Sequence, residues 1–365
     1  MIDLVNNTTK ERLDFSLSFF ESDYCNKKKF HWYAVFFNFC FLKSFLTFMI
    51  KKLAVIALGG NALLRSGQKG TIEEQRKNVY ETCNKLLHFV EQDYNIVIGH
   101  GNGPQVGNVL LGSVAGNKLF GLPMMPLDIC GSFTQGHIGY LIEQQFSNLI
   151  RTKGFERQIV TLVTQVVVSK SDPAFSHPSK PIGPYYTEAE KDVLIGQHPE
   201  DSYAADPKGR GFRKVVASPQ PLEIQNIHLI KRLAEEGNIV IASGGGGIPV
   251  VRNENGDIEG IEAVIDKDLA LALLATKLRA DELYILTDVQ HACLYFNTSQ
   301  EIPLNELSIA DARQYLIDGH FSEGSMAPKI RAALYFIENG GSECIITDAA
   351  HLHIPNAGTR IRKLD

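Results

Sequence analysis

From Lys51 to the C-terminus, short continuous apolar runs alternate with stretches in which apolar residues return every three or four positions. Runs of that length read as strands buried on both faces, and the longer period reads as helices laid over them. The runs at 53–58, 96–99, 159–168, 239–242, 283–286 and 343–347 are the expected strands. Between the first two, "TIEE" opens a helix, with Thr71 and Glu74 at the spacing of a capping box. Val79, Cys83, Leu86, Leu87 and Val90 then form its core-facing stripe, which makes Cys83 a packing residue. Farther on, "NIVIASGGGGIPVV" reads as strand, glycine turn and strand, and "NENGD" as the turn of a hairpin. The pattern as a whole predicts an α/β fold around a mainly parallel sheet, with a second lobe starting near Gly237.

Two segments break the alternation. Residues 169–221 are rich in proline and show no periodicity, which marks a functional lid or projecting subdomain, or else disorder. Phe175, Tyr185, Tyr186, Tyr203 and Phe212 favour order. The first fifty residues hold ten of the twenty Phe and the single Trp, Trp32. Asn38 and Lys43 interrupt that apolar stretch, so no run approaches the ~18 residues of a membrane span, and no small-residue cleavage site follows it. Translation from Met49, a targeting or anchoring extension, and an accessory segment all fit it. The expected organisation is an extension at 1–49, an N-terminal lobe at 50–236 carrying the lid at 169–221, and a C-terminal lobe at 237–365.

A chain of 365 residues that is 44% hydrophobic and 21% charged has ample material for a globular core. Its net charge of −5, with both signs interspersed, lacks the basic stripe of a nucleic-acid surface and points to small-molecule chemistry. The six cysteines are scattered without a C-x-x-C pair, which speaks against a disulfide framework or a zinc site and for a reducing, cytoplasmic compartment.

Candidate chemistry begins at two glycine-rich loops that follow the first two strands. "LGGNA" carries Gly59, Gly60 and Asn61 and reads as the entry to a helix; "GHGNGPQVG" carries Gly101, Asn102, Gly103 and Gly107. In a parallel sheet both loops fall on the edge where ligands bind. Glycine lets backbone approach an anion and asparagine adds an amide donor. Neither loop is G-x-x-x-x-G-K-[ST] or G-x-G-x-x-G, and neither holds a lysine.

Positive charge comes instead from three distant positions. Lys180 lies between stiffening prolines in "HPSKPIGPYY". Lys267 and Asp268 open a helix in "AVIDKDLALALLA", where Asp266 is the natural N-cap and the other two are left for function or a surface pair. Lys329 follows Pro328 at another helix start, where a cation is electrostatically misplaced unless an anion joins it. Cations from separate elements around glycine loops are what phosphoryl transfer requires. No nucleophile elbow or H-E-x-x-H occurs. His100 and His320 beside glycine loops read as backbone-bonding residues, and His351 with His353 are too few for a metal site.

These residues sit in motifs that closely resemble the carbamate kinases of the amino acid kinase family, from Met49 to the C-terminus. The match runs through "VIALGGNALL", "GHGNGPQVGN", "MPLDICGSFTQGHIGY", "TQVVVSKSDPAFSHPSKPIGPYYTEAE", "GRGFRKVVASPQPLEI", "GGGGIPVV", "VIDKDLA", "ILTDV", "GHFSEGSMAPKIRAA" and "GTRI". The resemblance implies a homodimer of three-layer αβα sandwiches and reversible phosphate transfer between Mg-ATP and carbamate, run toward ATP in arginine breakdown. It puts carbamoyl phosphate on Gly59, Gly60, Asn61, Gly101, Asn102 and Gly103, with Lys180 reaching in from the lid. Lys267 and Lys329 would neutralise the transferring group, oriented by Asp268. Thr287, Asp288, Gly324, Ser325 and Met326 would belong to the nucleotide side. Relatives that phosphorylate amino acids carry lysine where this chain has Ala57, which favours carbamate. A kinase for another small carboxylate or phosphonate is the runner-up.

Overall fold

The computed structural model describes residues 51–363 apart from 66, 200, 207 and 208, so the extension at 1–49 and its three readings lie outside the described residues. The main sheet consists of β1 (Leu53–Leu58), β2 (Asn95–His100), β3 (Ile159–Thr161), β9 (Ile239–Ile241), β12 (Glu282–Thr287) and β16 (Glu343–Asp348), with β15 (Glu306–Ser308) and β17 (Thr359–Arg362) at one margin. Its order is β15-β17-β16-β12-β1-β2-β9-β3, and every neighbouring pair is parallel except β16 with β17.

Side-chain alternation along β1 assigns the layers. Ala54, Ile56 and Leu58 pack with Val79, Cys83 and Leu86 of α1 (Ile72–Glu91) and Leu141 of α3 (Leu127–Lys153). Leu53, Val55 and Ala57 face the opposite way, onto Leu271 and Leu274 of α6 (Lys267–Leu278) and Ile330 of α8 (Met326–Glu338). A sheet covered on both faces is a three-layer αβα sandwich, as its near-continuous apolar strands require. The α1 capping box forms as expected, with Thr71 and Glu74 bonding reciprocally. The boundary expected near Gly237 falls between α5 (Ile227–Glu235) and β9, which is inserted between β2 and β3, so the sheet runs unbroken past it.

The apolar run at 159–168 is not one strand. It divides into β3, paired with β9, and β4 (Gln165–Val168), which joins β8 (Pro221–Ile224), β10 (Ile248–Arg252) and β11 (Ile258–Gly260) in a second sheet. At the break, Thr164 N–H donates to the Gln135 side-chain carbonyl at 2.8 Å, so a partner from α3 replaces the ladder bond. The hairpin at "NENGD" forms between β10 and β11.

Residues 169–221, which lack a recognisable period, contain a third sheet, ordered β5-β7-β6: β5 (Lys180–Tyr186), β7 (Phe212–Val216) and β6 (Ser202–Ala205). Helix α4 (Glu188–Gln197) lies between β5 and β6 and opens on a second capping box, Thr187 with Glu190. Gly107 in α2 (Gly103–Phe120) fastens this unit to the main body. A Cβ there would lie 2.7 Å from Gly183 N, so glycine lets α2 and β5 meet backbone to backbone. Among the described residues no helix is long and apolar enough to cross a membrane.

Candidate active site

The parallel strands deliver the C-terminal ends of β1, β2, β9 and β12 to one edge, where a cavity of about 260 Å³ opens. The first loop departs from expectation. Gly60–Ala62 makes a single 3-10 turn rather than the start of a helix, and Ala62, Leu63 and Leu64 donate their N–H groups within that turn. Asn61 lies in it. Gly59 is required by packing: its Cβ would stand 2.5 Å from the Leu286 carbonyl, which binds the loop to the end of β12.

The second loop does run into a helix, the eighteen-residue α2, with Gly101, Asn102 and Gly103 at its N-terminal end lining the cavity. The Gly101 N–H is taken by the Leu58 carbonyl at 3.1 Å, so it is the first-turn N–H groups of α2 and its positive end that make this an anion-seeking wall. The Asn102 amide is not a free donor, however; its Nδ2 donates to Thr134 Oγ1 at 2.9 Å and anchors the loop. His100 is buried, and its Nδ1 lies 3.1 Å from the Gly101 carbonyl, which can only accept, so the proton sits on that nitrogen. Burial pushes its pKa down to about 4.

Opposite stands the charge cluster. Asp266 caps α6 as expected, one carboxylate oxygen accepting from Asp268 N–H at 2.9 Å. Its other oxygen accepts from Lys180 Nζ at 2.7 Å, so the same carboxylate holds the projecting sheet to α6. Asp268 is nearly enclosed and accepts from Lys267 at 2.5 Å and from Lys329 at 2.8 Å. Asp268 is buried and Lys267 half-buried, so the two are not a surface pair. Burial works against the Asp268 carboxylate, but the two ammonium groups override it and hold the group well below the usual carboxylate range. Burial also disfavours charge on Lys329, yet Asp268, helped by Asp266 and Asp288, raises its pKa. Lys267 goes the other way: burial and the neighbouring Lys329 lower it against the pull of Asp268. Two cations sharing one carboxylate gain a second counterion when an oxyanion arrives.

Of the nucleotide-side candidates, Gly324 and Ser325 line the same cavity, while Met326 begins α8 and packs partly on the core. Thr287 ends β12 with its backbone against Gly59, and its hydroxyl donates to the following Asp288 at 3.1 Å. His320 is held edge-on by Tyr295 and Tyr315, and His351 Nδ1 sits 2.8 Å from Asp348. Among the described residues no three His, Cys, Asp or Glu side chains converge to hold a metal, and Asp266 and Asp268 are already paired with lysines.

Two contributors were not legible beforehand. The second role of Asp266 depends on a lysine 86 positions away. Gly245 also lines the cavity; its φ is +67° and a Cβ would come within 2.3 Å of Asn102 Nδ2, so the glycine quartet is a support beneath the second loop rather than only a turn.

The model of the amino acid kinase family matches residues 52–348. The carbamate kinase of Pyrococcus horikoshii is 48% identical over 298 residues, spanning 82% of this chain and 93% of its own. The carbamate kinase-like protein YahI of Escherichia coli is 46% identical over 298 residues, 82% of this chain and 94% of its own. Among solved structures, the carbamate kinase of Giardia lamblia bound to AMP-PNP aligns with a TM-score of 0.79 at 42% identity, covering 86% of this chain and 99% of that one. The chain belongs to the amino acid kinase family.

Proposed function

We propose that the protein is a carbamate kinase, catalysing ATP + carbamate = ADP + carbamoyl phosphate. The observation that carries this reading is the convergence of Lys180, Lys267 and Lys329 with the N-terminus of α2 on one cavity of about 260 Å³. In the synthetic direction a carbamate oxygen forms a bond to the γ-phosphorus as the bond from that phosphorus to the β–γ bridging oxygen breaks, and ADP departs with the electron pair. The reverse transfers the same group to the β-phosphate of ADP. No proton must move, so the work is positioning and charge neutralisation. Lys267 and Lys329 meet the equatorial and bridging oxygens, Asp268 holds both lysines in register, and Lys180 closes the acceptor side. Magnesium would come with the nucleotide as part of the substrate and would shield its phosphates.

The small cavity and the buried Ala57 favour an acceptor without a side chain. Another small carboxylate or phosphonate is the second reading, and offering such acceptors with Mg-ATP while following ADP separates the two. Release of ADP only with carbamate supports the first; a faster acceptor replaces it. Leu119, Phe120, Leu122 and Phe133 form an exposed apolar band around α2 and α3, which suits a homodimer and is tested by light scattering on the eluting protein. The buried thiols Cys83, Cys130, Cys293 and Cys344 suit a cytoplasmic setting, and a role in arginine breakdown is part of the same proposal.

A further inference from the structure

The motif "MPLDICGSFTQGHIGY" stands out in the sequence, yet none of its residues lines the cavity. Two of them, Thr134 and Gln135, are neighbours on α3 and are 0% and 2% exposed among otherwise apolar core residues. A packing role alone would be filled by valine or methionine, and a buried polar side chain is tolerated only when its bonds are made.

Here they are made, and those that leave α3 lead toward the acceptor wall. Thr134 Oγ1 accepts from Asn102 Nδ2 at 2.9 Å and donates to the Gly131 carbonyl at 2.6 Å. Gln135 Nε2 donates to the carbonyls of Gly244, at 2.9 Å, and Thr164, at 3.1 Å, while its Oε1 accepts from Thr164 N–H at 2.8 Å. Thr164 passes the connection on, its hydroxyl accepting from Ser243 N–H at 3.0 Å. The Gly244–Gly247 turn held in this way lies directly beneath the second loop. A Cβ on Gly244 would stand 2.3 Å from His100 Nε2 and one on Gly245 2.3 Å from Asn102 Nδ2. One turn of α3 thus grips the second glycine loop twice, directly through Asn102 and indirectly through the turn that supports it.

We propose that Thr134 and Gln135 are positioning residues that set the height of the Gly101–Gly103 wall, so that capture of the acceptor phosphate depends on them while nucleotide binding does not. The proposal rests on the carbamate kinase reading. Neither side chain touches substrate; they act through Asn102 and through Gly244 and Gly245. Because the Gln135 bonds also close the break between β3 and β4, Thr134 separates positioning from folding more cleanly.

The test compares Thr134→Val, Thr134→Ser, Gln135→Met and wild type in ATP formation from carbamoyl phosphate and Mg-ADP. Thr134→Val keeps the shape and removes the bond to Asn102. It should raise KM for carbamoyl phosphate about tenfold, the equivalent of one buried hydrogen bond, with KM for Mg-ADP within twofold. Thr134→Ser should restore wild-type values, and Thr134→Val should add nothing further in an Asn102→Ala background. Equal KM values in wild type and Thr134→Val, or equal changes for both substrates, overturn the proposal. So does failure of Thr134→Val and Gln135→Met to fold while Thr134→Ser is normal, since that assigns a structural role only. An inactive wild type instead refutes the carbamate kinase reading, and the positioning claim is then read as loss of the thermal shift produced by inorganic phosphate in Thr134→Val.

Discussion

Asp268→Asn removes one charge and almost no volume from the centre of the site. In the native cluster the Asp268 carboxylate, 3% exposed, accepts from Lys267 at 2.5 Å and Lys329 at 2.8 Å. The amide keeps one acceptor oxygen but leaves the two enclosed ammonium groups facing each other with only the more distant charges of Asp266 and Asp288 to offset them. Removing one partner of a buried ion pair costs about 3–5 kcal/mol, which for a chain of this size lowers the melting temperature by roughly 4–8 °C. Such a loss falls within the stability of an ordinary domain, so the variant should fold. Turnover should fall about 10²- to 10³-fold, because the lysines that meet the transferring phosphoryl group lose their registry. Acid dependence supplies an independent reading. The native carboxyl lies below its unfolded value of 3.8, so its stabilisation is present above that pH and is lost as pH falls through the folded pKa. Below about 3.8 the wild type should lose about 1.4 kcal/mol per pH unit from this group, a slope missing from the variant. An oxyanion should restore what the carboxylate supplied, so inorganic phosphate should raise the melting temperature of Asp268→Asn more than that of the wild type. A variant that melts within 2 °C of wild type, turns over within threefold of it, and gains nothing extra from phosphate would refute the central place given to Asp268.

Lys180→Met cuts a partly exposed pair, so it should cost about 1 kcal/mol or less. Carbamoyl phosphate turnover should nonetheless collapse while calorimetric Mg-ADP affinity stays within threefold; equal loss of both would remove Lys180 from the acceptor side. Lys329→Met should slow turnover at least ~100-fold at saturating substrates, and a near-normal rate would place that lysine outside the site. Gly245→Ala forces a left-handed residue and pushes Asn102 aside, so urea unfolding should show a loss of about 1–3 kcal/mol together with a higher KM for carbamoyl phosphate. For His100, buried with a pKa near 4 against 6.5 unfolded, the unfolded chain takes up its proton first as pH falls. The wild type should lose about 3 kcal/mol between pH 6.5 and 4, and His100→Asn, which retains a donor for the Gly101 carbonyl, should show a flatter profile.

What was legible in the sequence is what local chemistry decides. The β1 run, the α1 capping box and the Asp266 cap each depend on residues within a few positions of one another, and each forms. The lysines stood out because Pro328 and Asp266 mark helix starts where a cation is out of place. Features set by distant partners were hidden. The run at 159–168 is uniformly apolar, and its break is imposed by Gln135 from another element. The antiparallel pairing of β5 with β7 joins residues about thirty positions apart across proline-containing sequence, so no period announces it. The Asn102 amide looked available for substrate because nothing in "GHGNGPQVG" reveals Thr134 beside it. The second capping box, Thr187 with Glu190, was readable but sits inside a segment without other helical signals.

In the proposed reaction one cavity, walled by the α2 N-terminus and by the lysines gathered around Asp266 and Asp268, moves a phosphoryl group intact between carbamate and ADP. Phosphorus NMR on the protein mixed with carbamoyl phosphate and Mg-ADP follows that group directly. The carbamoyl phosphate signal should decay in step with growth of the ATP γ-phosphate signal. Decay into inorganic phosphate catalysed by the protein, or no change while Mg-ADP is bound, would contradict it.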